Sequence, residues 1–175
     1  MLLAAVALPS LHAARDRDAA VMAARHLGVQ LNHVRAEAIR RNRMVAMRFD
    51  PEDPGRTAIY VDQDGDGVLE SDIADGTDLQ IEAETHLSEK FAGVAFGVPI
   101  DVPAPDGVGV IPGGSDPVRI GNSNLLSFGP LGTATSGTLY LAGRGGSQVC
   151  VRVLGVTGRV RVLVYQRARG QWQLE

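Results

Sequence analysis

Residues 1–42 read MLLAAVALPSLHAARDRDAAVMAARHLGVQLNHVRAEAIRRN. An apolar start, Met1 to Leu8, is punctuated by Pro9 and passes into a long two-faced segment ending in Arg40-Arg41-Asn42. From Ala19 to Ile39 apolar residues fall at Ala20, Ala24, Leu27, Leu31, Val34 and Ala38, in alternating steps of three and four, the period of one helix face. The opposite face carries Arg25, His26, Asn32, Arg35 and Arg40. Abundant Ala favours helix, and Arg40, Arg41 and Arg43 suit the negative end of its dipole. Pro9 marks a kink or a new start. Asp16 and Asp18 suit a helix N-terminus, so a break near Arg15 is one reading and an unbroken rod the other.

From Met44 the period changes to two. Residues 44–49 (MVAMRF) and 57–61 (TAIYV) read as a β-hairpin across the turn Asp50-Pro51-Glu52-Asp53-Pro54-Gly55. An acidic loop runs from Asp62 to Asp78, followed by candidate strands at 79–81 and 94–96. Gly97 to Asn124 holds five prolines and six glycines and reads as a long surface loop with at most short strands. Further strands are expected at 125–128, 138–141, 148–153 and 159–165, separated by Gly-rich turns, as in an antiparallel meander. The expected class is therefore α+β: one long N-terminal helix packed on antiparallel sheets. The segments are 1–18, an apolar assembly segment; 19–43, the amphipathic part of the helix; and 44–175, a β-rich head. The face Leu27, Leu31, Val34 and Ala38 is expected to bury against Phe49, Ile59, Phe128, Val151 and Val162.

The 175 residues suffice for one domain with a real core. A single cysteine, Cys150, excludes an intrachain disulfide or a Cys-based zinc site and reads as a small apolar residue in a strand. The net charge of −3 conceals an asymmetry: +5 over residues 1–48, −14 over 49–116 and +6 over 117–175. This pattern marks either a partner or nucleic-acid surface, or two solvated faces that attract each other.

Asp62-Gln63-Asp64-Gly65-Asp66-Gly67 has the alternate-carboxylate spacing of a calcium loop, with Asp62, Asp64 and Asp66 as candidate ligands. The twelfth position is Ile73 rather than Glu, so an Asp/Gly turn bonded to its own backbone is the other reading. No further cofactor is expected. Arg159 and Arg161, two apart on one strand, share a face opposite Val160, Val162 and Val164. Arg152, Arg167 and Arg169 could join them, with Tyr140, Tyr165 or Trp172 as stacking partners for bases. The plain alternative is the polar face of an amphipathic strand. Nucleophile elbows, zincin helices, phosphate loops and dinucleotide fingerprints are absent from the sequence. His26 and His33 read as helix-surface residues. An assembly or binding role is expected rather than an enzyme, the least favoured reading being catalysis by acidic loop residues.

Together these residues resemble a known family. Leu3 to Ser10 looks like the later part of the transmembrane helix of type IV pilins and type II secretion pseudopilins. Leu31 to Asn42 is similar to the helix-to-strand signature of the GspH/FimT group of minor pseudopilins and minor pilins, as are the Asp62–Gly67 turn, Leu126 to Gly132, and Gly158-Arg159-Val160-Arg161-Val162. The loop from Gly97 to Asn124 has no counterpart. The resemblance implies a helix carrying a GspH-type head, a single-pass inner-membrane precursor with its head in the periplasm, and assembly with other subunits through the N-terminal helix, where Leu2, Leu3, Val6, Leu8 and Pro9 would lie. It further implies a place at or near the tip of a pseudopilus or pilus. In FimT-like members it implies DNA capture through a Gly-Arg-x-Arg motif, here Gly158, Arg159 and Arg161. The run of eight apolar residues is shorter than the ~20 that span a bilayer. No basic leader ending in Gly, and no acidic residue near the start of the kind that docks subunits, is present. The expectation is that the true start lies upstream of Met1.

Overall fold

A computed structural model describes residues 4–121 and 123–175, with side-chain surroundings from residue 13 onward. Helix α1 (Ala4–Arg41) runs through Pro9 and Arg15 without interruption, about 57 Å long, so the break allowed near Arg15 does not occur. Leu2 and Leu3 lie outside the described residues, as do the side chains of Val6, Leu8 and Pro9. The helix ends in a Schellman turn. Asn42 takes the left-handed conformation at φ 52°, its N–H donates to the Ile39 carbonyl, and the Arg43 N–H reaches back to the Ala38 carbonyl.

Among the described residues twelve strands follow, ten of them in two main sheets. The first contains β1 (Val45–Phe49), β2 (Arg56–Val61), β3 (Leu79–His86) and β8 (Leu125–Phe128), in the order β3-β2-β1-β8. The hairpin expected from the sequence is β1 with β2, Val45 opposite Val61. The second sheet has the order β12-β11-β10-β9-β4, with β7 also on β9: β4 (Val94–Phe96), β7 (Val118–Arg119), β9 (Gly137–Gly143), β10 (Gln148–Leu154), β11 (Arg159–Gln166) and β12 (Gln171–Leu174). From β9 to β12 it is the expected meander without its first strand, since β8 pairs with β1 in the other sheet, and with a last strand that the sequence pattern does not announce. Short helices α2 (Glu70–Asp75), inside what reads as an acidic loop, and α3 (Leu87–Lys90) are likewise additions.

Both sheets pack on one side of α1. Ala20, Ala24, Leu27, Leu31, Val34 and Ala38 are buried, and they share a core with Phe49, Ile59, Phe128 and Val151. Val162 and Val160 are half-buried against the same core rather than inside it. Gly28 explains how β11 comes so near. A Cβ there would touch Val160 Cγ1 at 3.7 Å and Val162 Cγ2 at 3.8 Å, ordinary van der Waals contact, so alanine fits and nothing larger does without movement. Gly28→Ala is expected to gain about 1 kcal/mol of helix propensity, raising Tm by about 3 °C in a thermal melt.

Asp16 fastens α1 to the head one turn before the buried stripe begins. Its carboxylate accepts from Gly145 N (2.8 Å) and from the Ser147 hydroxyl (2.6 Å) in the β9–β10 turn. Burial raises its pKa, but these hydrogen bonds outweigh it and leave the carboxyl below its ordinary value.

The stretch from Gly97 to Asn124 carries only short strands, as expected, but it does not lie wholly at the surface. Strands β5 (Val102–Pro103) and β6 (Val110–Ile111) form a small hairpin that lies on the outer face of the second sheet, opposite α1. Val102, Ala104 and Ile111 bury against Tyr140 and Cys150 there, and Trp172 Nε1 donates to the Pro103 carbonyl at 2.6 Å. Prolines and glycines hide this core from periodicity, because turns rather than a repeating stripe bring its few apolar residues together.

Candidate anion-binding face

The outer face of the second sheet gathers four arginines of the basic last third, Arg119, Arg152, Arg159 and Arg161. Strand alternation sends Val149, Val151 and Val153 of β10 toward α1 and Arg152 outward. Register then aligns four residues from neighbouring strands: Arg119 faces Thr138, Thr138 faces Arg152, and Arg152 faces Arg161. At about 4.8 Å per strand the row spans roughly 14 Å. Arg119, which sequence reading did not single out, belongs to it only because β7 folds back onto β9. Nothing in the local sequence around Val118-Arg119 signals that pairing.

Arg159 lies on the same face, opposite Leu154, and both Arg159 and Arg161 are exposed. Arg167 does not join them. It follows the far end of β11, roughly 26 Å from Arg159 along the strand, and lines a separate hollow with Asp16, Arg17 and Tyr165. The expected stacking partners are occupied as well. Tyr140 is 1% exposed, and burial pushes its phenol up to about 12. Trp172 packs on Tyr140 and Tyr165, with ring centroids 6.0 and 5.3 Å apart, beneath the β5–β6 hairpin. Cys150 is fully buried, and burial raises its thiol far above the ordinary range, leaving it an apolar filler.

Gly158 has a different role from the arginines beside it. It is buried at φ +59°, and a Cβ on it would lie 2.2 Å from the Gly132 carbonyl oxygen and 3.0 Å from Arg35 Nε. Arg35 Nε in turn donates to that carbonyl at 3.1 Å. The glycine therefore lets the β10–β11 turn close onto the loop after β8 and onto the helix.

A few carboxylates of the acidic block pair with bases near them on the first sheet side of the head. Arg48 pairs with Glu70 (2.9 Å), Arg56 with Glu84 (3.2 Å) and His33 with Glu82 (2.5 Å). Glu37 holds Arg40 and Arg41, whose hydrogen bonds bring its carboxyl down to about 2. Among the described residues the basic row meets the acidic block once, where Asp106 Oδ2 stands 3.8 Å from Arg152 Nη2. The asymmetry in charge thus persists as a surface.

Asp62, Asp64 and Asp66 do converge, with oxygen atoms within 4.8 Å of one another. Asp62, however, is buried and accepts from Gly65 N (2.7 Å) and Gly67 N (3.2 Å), while the buried Asp78 accepts from Gln63 N (3.2 Å) and Leu69 N (3.0 Å). Arg43 donates to the Asp62 and Gln63 carbonyls, tying the end of α1 to this loop. Asp62 thus closes an Asx turn on its own loop, while Asp64 and Asp66 stand exposed beside it and the Asp66 carboxyl is raised by its hydrogen bond to Asp64.

The profile of the family described as Type II transport protein GspH matches residues 23–157. The chain belongs to the GspH family. The match takes in the buried half of α1, the first sheet and the second sheet as far as β10, and ends before β11 and β12. No curated protein matches this GspH-family chain in sequence. Its fold is similar to that of the minor pseudopilin EpsH from the type 2 secretion system of Vibrio cholerae, at 18% identity and TM-score 0.51, covering 83% of this chain and 96% of that one. The type IV minor pilin FimU of Pseudomonas aeruginosa matches at 19% identity and TM-score 0.44, covering 91% and 90%. At such identity the likeness to EpsH speaks for the fold alone. Within it, this GspH-family chain displays its basic row on the sheet face turned away from α1.

Proposed function

We propose that this chain is a minor subunit at or near the tip of a type II secretion pseudopilus or a type IV pilus, acting by assembly rather than catalysis. Helix α1 carries the reading. It is one rod whose stripe from Ala20 to Ala38 is sunk into the head, while Ala13, Ala14, Arg15, Arg17 and Asp18 stand exposed ahead of it. Met22 and Val29, 52% and 67% exposed on the outer side, add an apolar edge for neighbouring subunits. Among the described residues no helix is long and apolar enough to cross a membrane. In this reading the apolar segment to which Met1–Leu8 belongs anchors a precursor in the inner membrane, with the head in the periplasm.

Deleting the gene in its host is expected to abolish either exoprotein secretion or surface piliation, restored by the wild-type copy. The trait that is lost names the machine; intact secretion and intact pili overturn the proposal. A second reading, DNA capture, is favoured by Arg159 and Arg161, which are exposed with no carboxylate among the described residues within 4.0 Å. It predicts a salt-sensitive electrophoretic shift of duplex DNA that disappears in an Arg159→Ala/Arg161→Ala double variant.

A further inference from the structure

Between the β5–β6 hairpin and the outer face of β9 and β10 lies a cleft of about 350 Å³, within the ordinary range for ligand sites. Arg119 and Arg152 face it from the sheet, and Ser136 and Thr138 line its floor. Its wall is built rather than loose. Val102 and Ile111 pair across the hairpin, the Ala104 N–H donates to the Gly109 carbonyl at 3.0 Å, and Trp172 Nε1 pins Pro103 from below.

Among the described residues the charge in the cleft is only partly compensated. Arg152 is half-buried and stands directly opposite Arg161 in the register, a like-charged pair that costs stability when nothing lies between them. Arg119 adds a third guanidinium two strands away. The single acid at the lip, Asp106, gives one oxygen to its own turn at Val108 N (3.0 Å) and holds the other 3.8 Å from Arg152, too far for a hydrogen bond. A guanidinium fork matches a carboxylate geometrically.

We propose that this cleft binds carboxylate side chains of an acidic polypeptide segment from a partner protein. Two features favour polypeptide over nucleic acid. Val108, 81% exposed, and the buried Ile111 line the cleft on its hairpin side and reward apolar side chains flanking the acids. Of the aromatic residues that bases would stack on, Tyr140 is buried, and Trp172 and Tyr165 are half-buried and packed on one another. The inference is independent of whether the chain enters a filament.

The test uses the full chain with three probes: a six-residue peptide alternating Glu and Leu, the same peptide with Gln for Glu, and dodecathymidine. The Glu peptide is expected to bind, at least tenfold more tightly than the Gln peptide and with salt-dependent affinity. Arg119→Gln/Arg152→Gln is expected to weaken it at least tenfold, while Arg144→Gln, in the β9–β10 turn, leaves it within twofold. Thermal melts establish that each variant is folded. Should the double variant fail to fold, backbone amide resonances of the wild-type chain decide, because Ser136, Thr138 and Arg152 must shift on titration. No binding of the Glu peptide, binding indifferent to Arg119 and Arg152, or shifts confined to other surfaces would overturn the proposal. So would dodecathymidine binding more tightly than the Glu peptide through the same two arginines.

Discussion

Leu31→Asp is expected to abolish the cooperative thermal transition of the full chain. Leu31 is fully buried at the middle of the stripe that α1 presents to both sheets. Truncating such a side chain costs about 2–5 kcal/mol through lost transfer energy and the cavity left behind. Aspartate adds to that the burial of a carboxylate with no partner, several kcal/mol more unless it takes up a proton. The sum rivals the ~5–15 kcal/mol that stabilises a typical domain. Near-UV circular dichroism and calorimetry should show no sharp transition. Leu31→Ala should retain one, at a Tm lower by about 10 °C. A native-like melt for Leu31→Asp would mean that α1 is not seated on the head as described.

Gly158→Ala is expected to cost roughly 3 kcal/mol, although the glycine lies in a turn beside exposed arginines. Two separate effects add. A non-glycine residue at φ +59° carries backbone strain, and the new methyl would lie 2.2 Å from the Gly132 carbonyl, a rigid backbone atom that cannot swing away. With a urea m-value of about 2 kcal/mol per M, the unfolding midpoint should fall by about 1.5 M. Arg159→Ala and Arg161→Ala, both on exposed side chains, should each stay within about 0.5 kcal/mol of wild type. The Gly-Arg-x-Arg pattern would thereby separate into a glycine that closes the fold and two arginines free to contact something else. An unchanged midpoint for Gly158→Ala would show that the two turns do not meet.

The acidic block shows why charge sums are weaker guides than pairings. Counted along the chain, −14 against +6 is consistent with two halves that hold each other. In the fold, Arg48 takes up Glu70 of α2, Arg56 and His33 take up Glu84 and Glu82 of β3, and the second sheet's outer face keeps its positive charge. Which acid meets which base depends on strand order, and strand order is non-local. The calcium-like spacing of Asp62, Asp64 and Asp66 is similar: the carboxylates do converge, but Asp62 and the distant Asp78 use their oxygens on loop amides.

Local sequence alone determined the helix and its buried stripe, the β1–β2 hairpin and the meander from β9. Each of these rests on short-range periodicity, 3.6 residues in the helix and 2 in the strands, and a single segment carries its own period. Tertiary structure alone decided the rest. It brought β7 beside β9 so that Arg119 joined Arg152 and Arg161, folded a Pro- and Gly-rich stretch into the wall of a cleft, and sent Arg167 to the opposite end of the sheet. Those outcomes depend on backbone pairing between residues far apart in the chain, and such pairing leaves no repeat in the sequence of either partner.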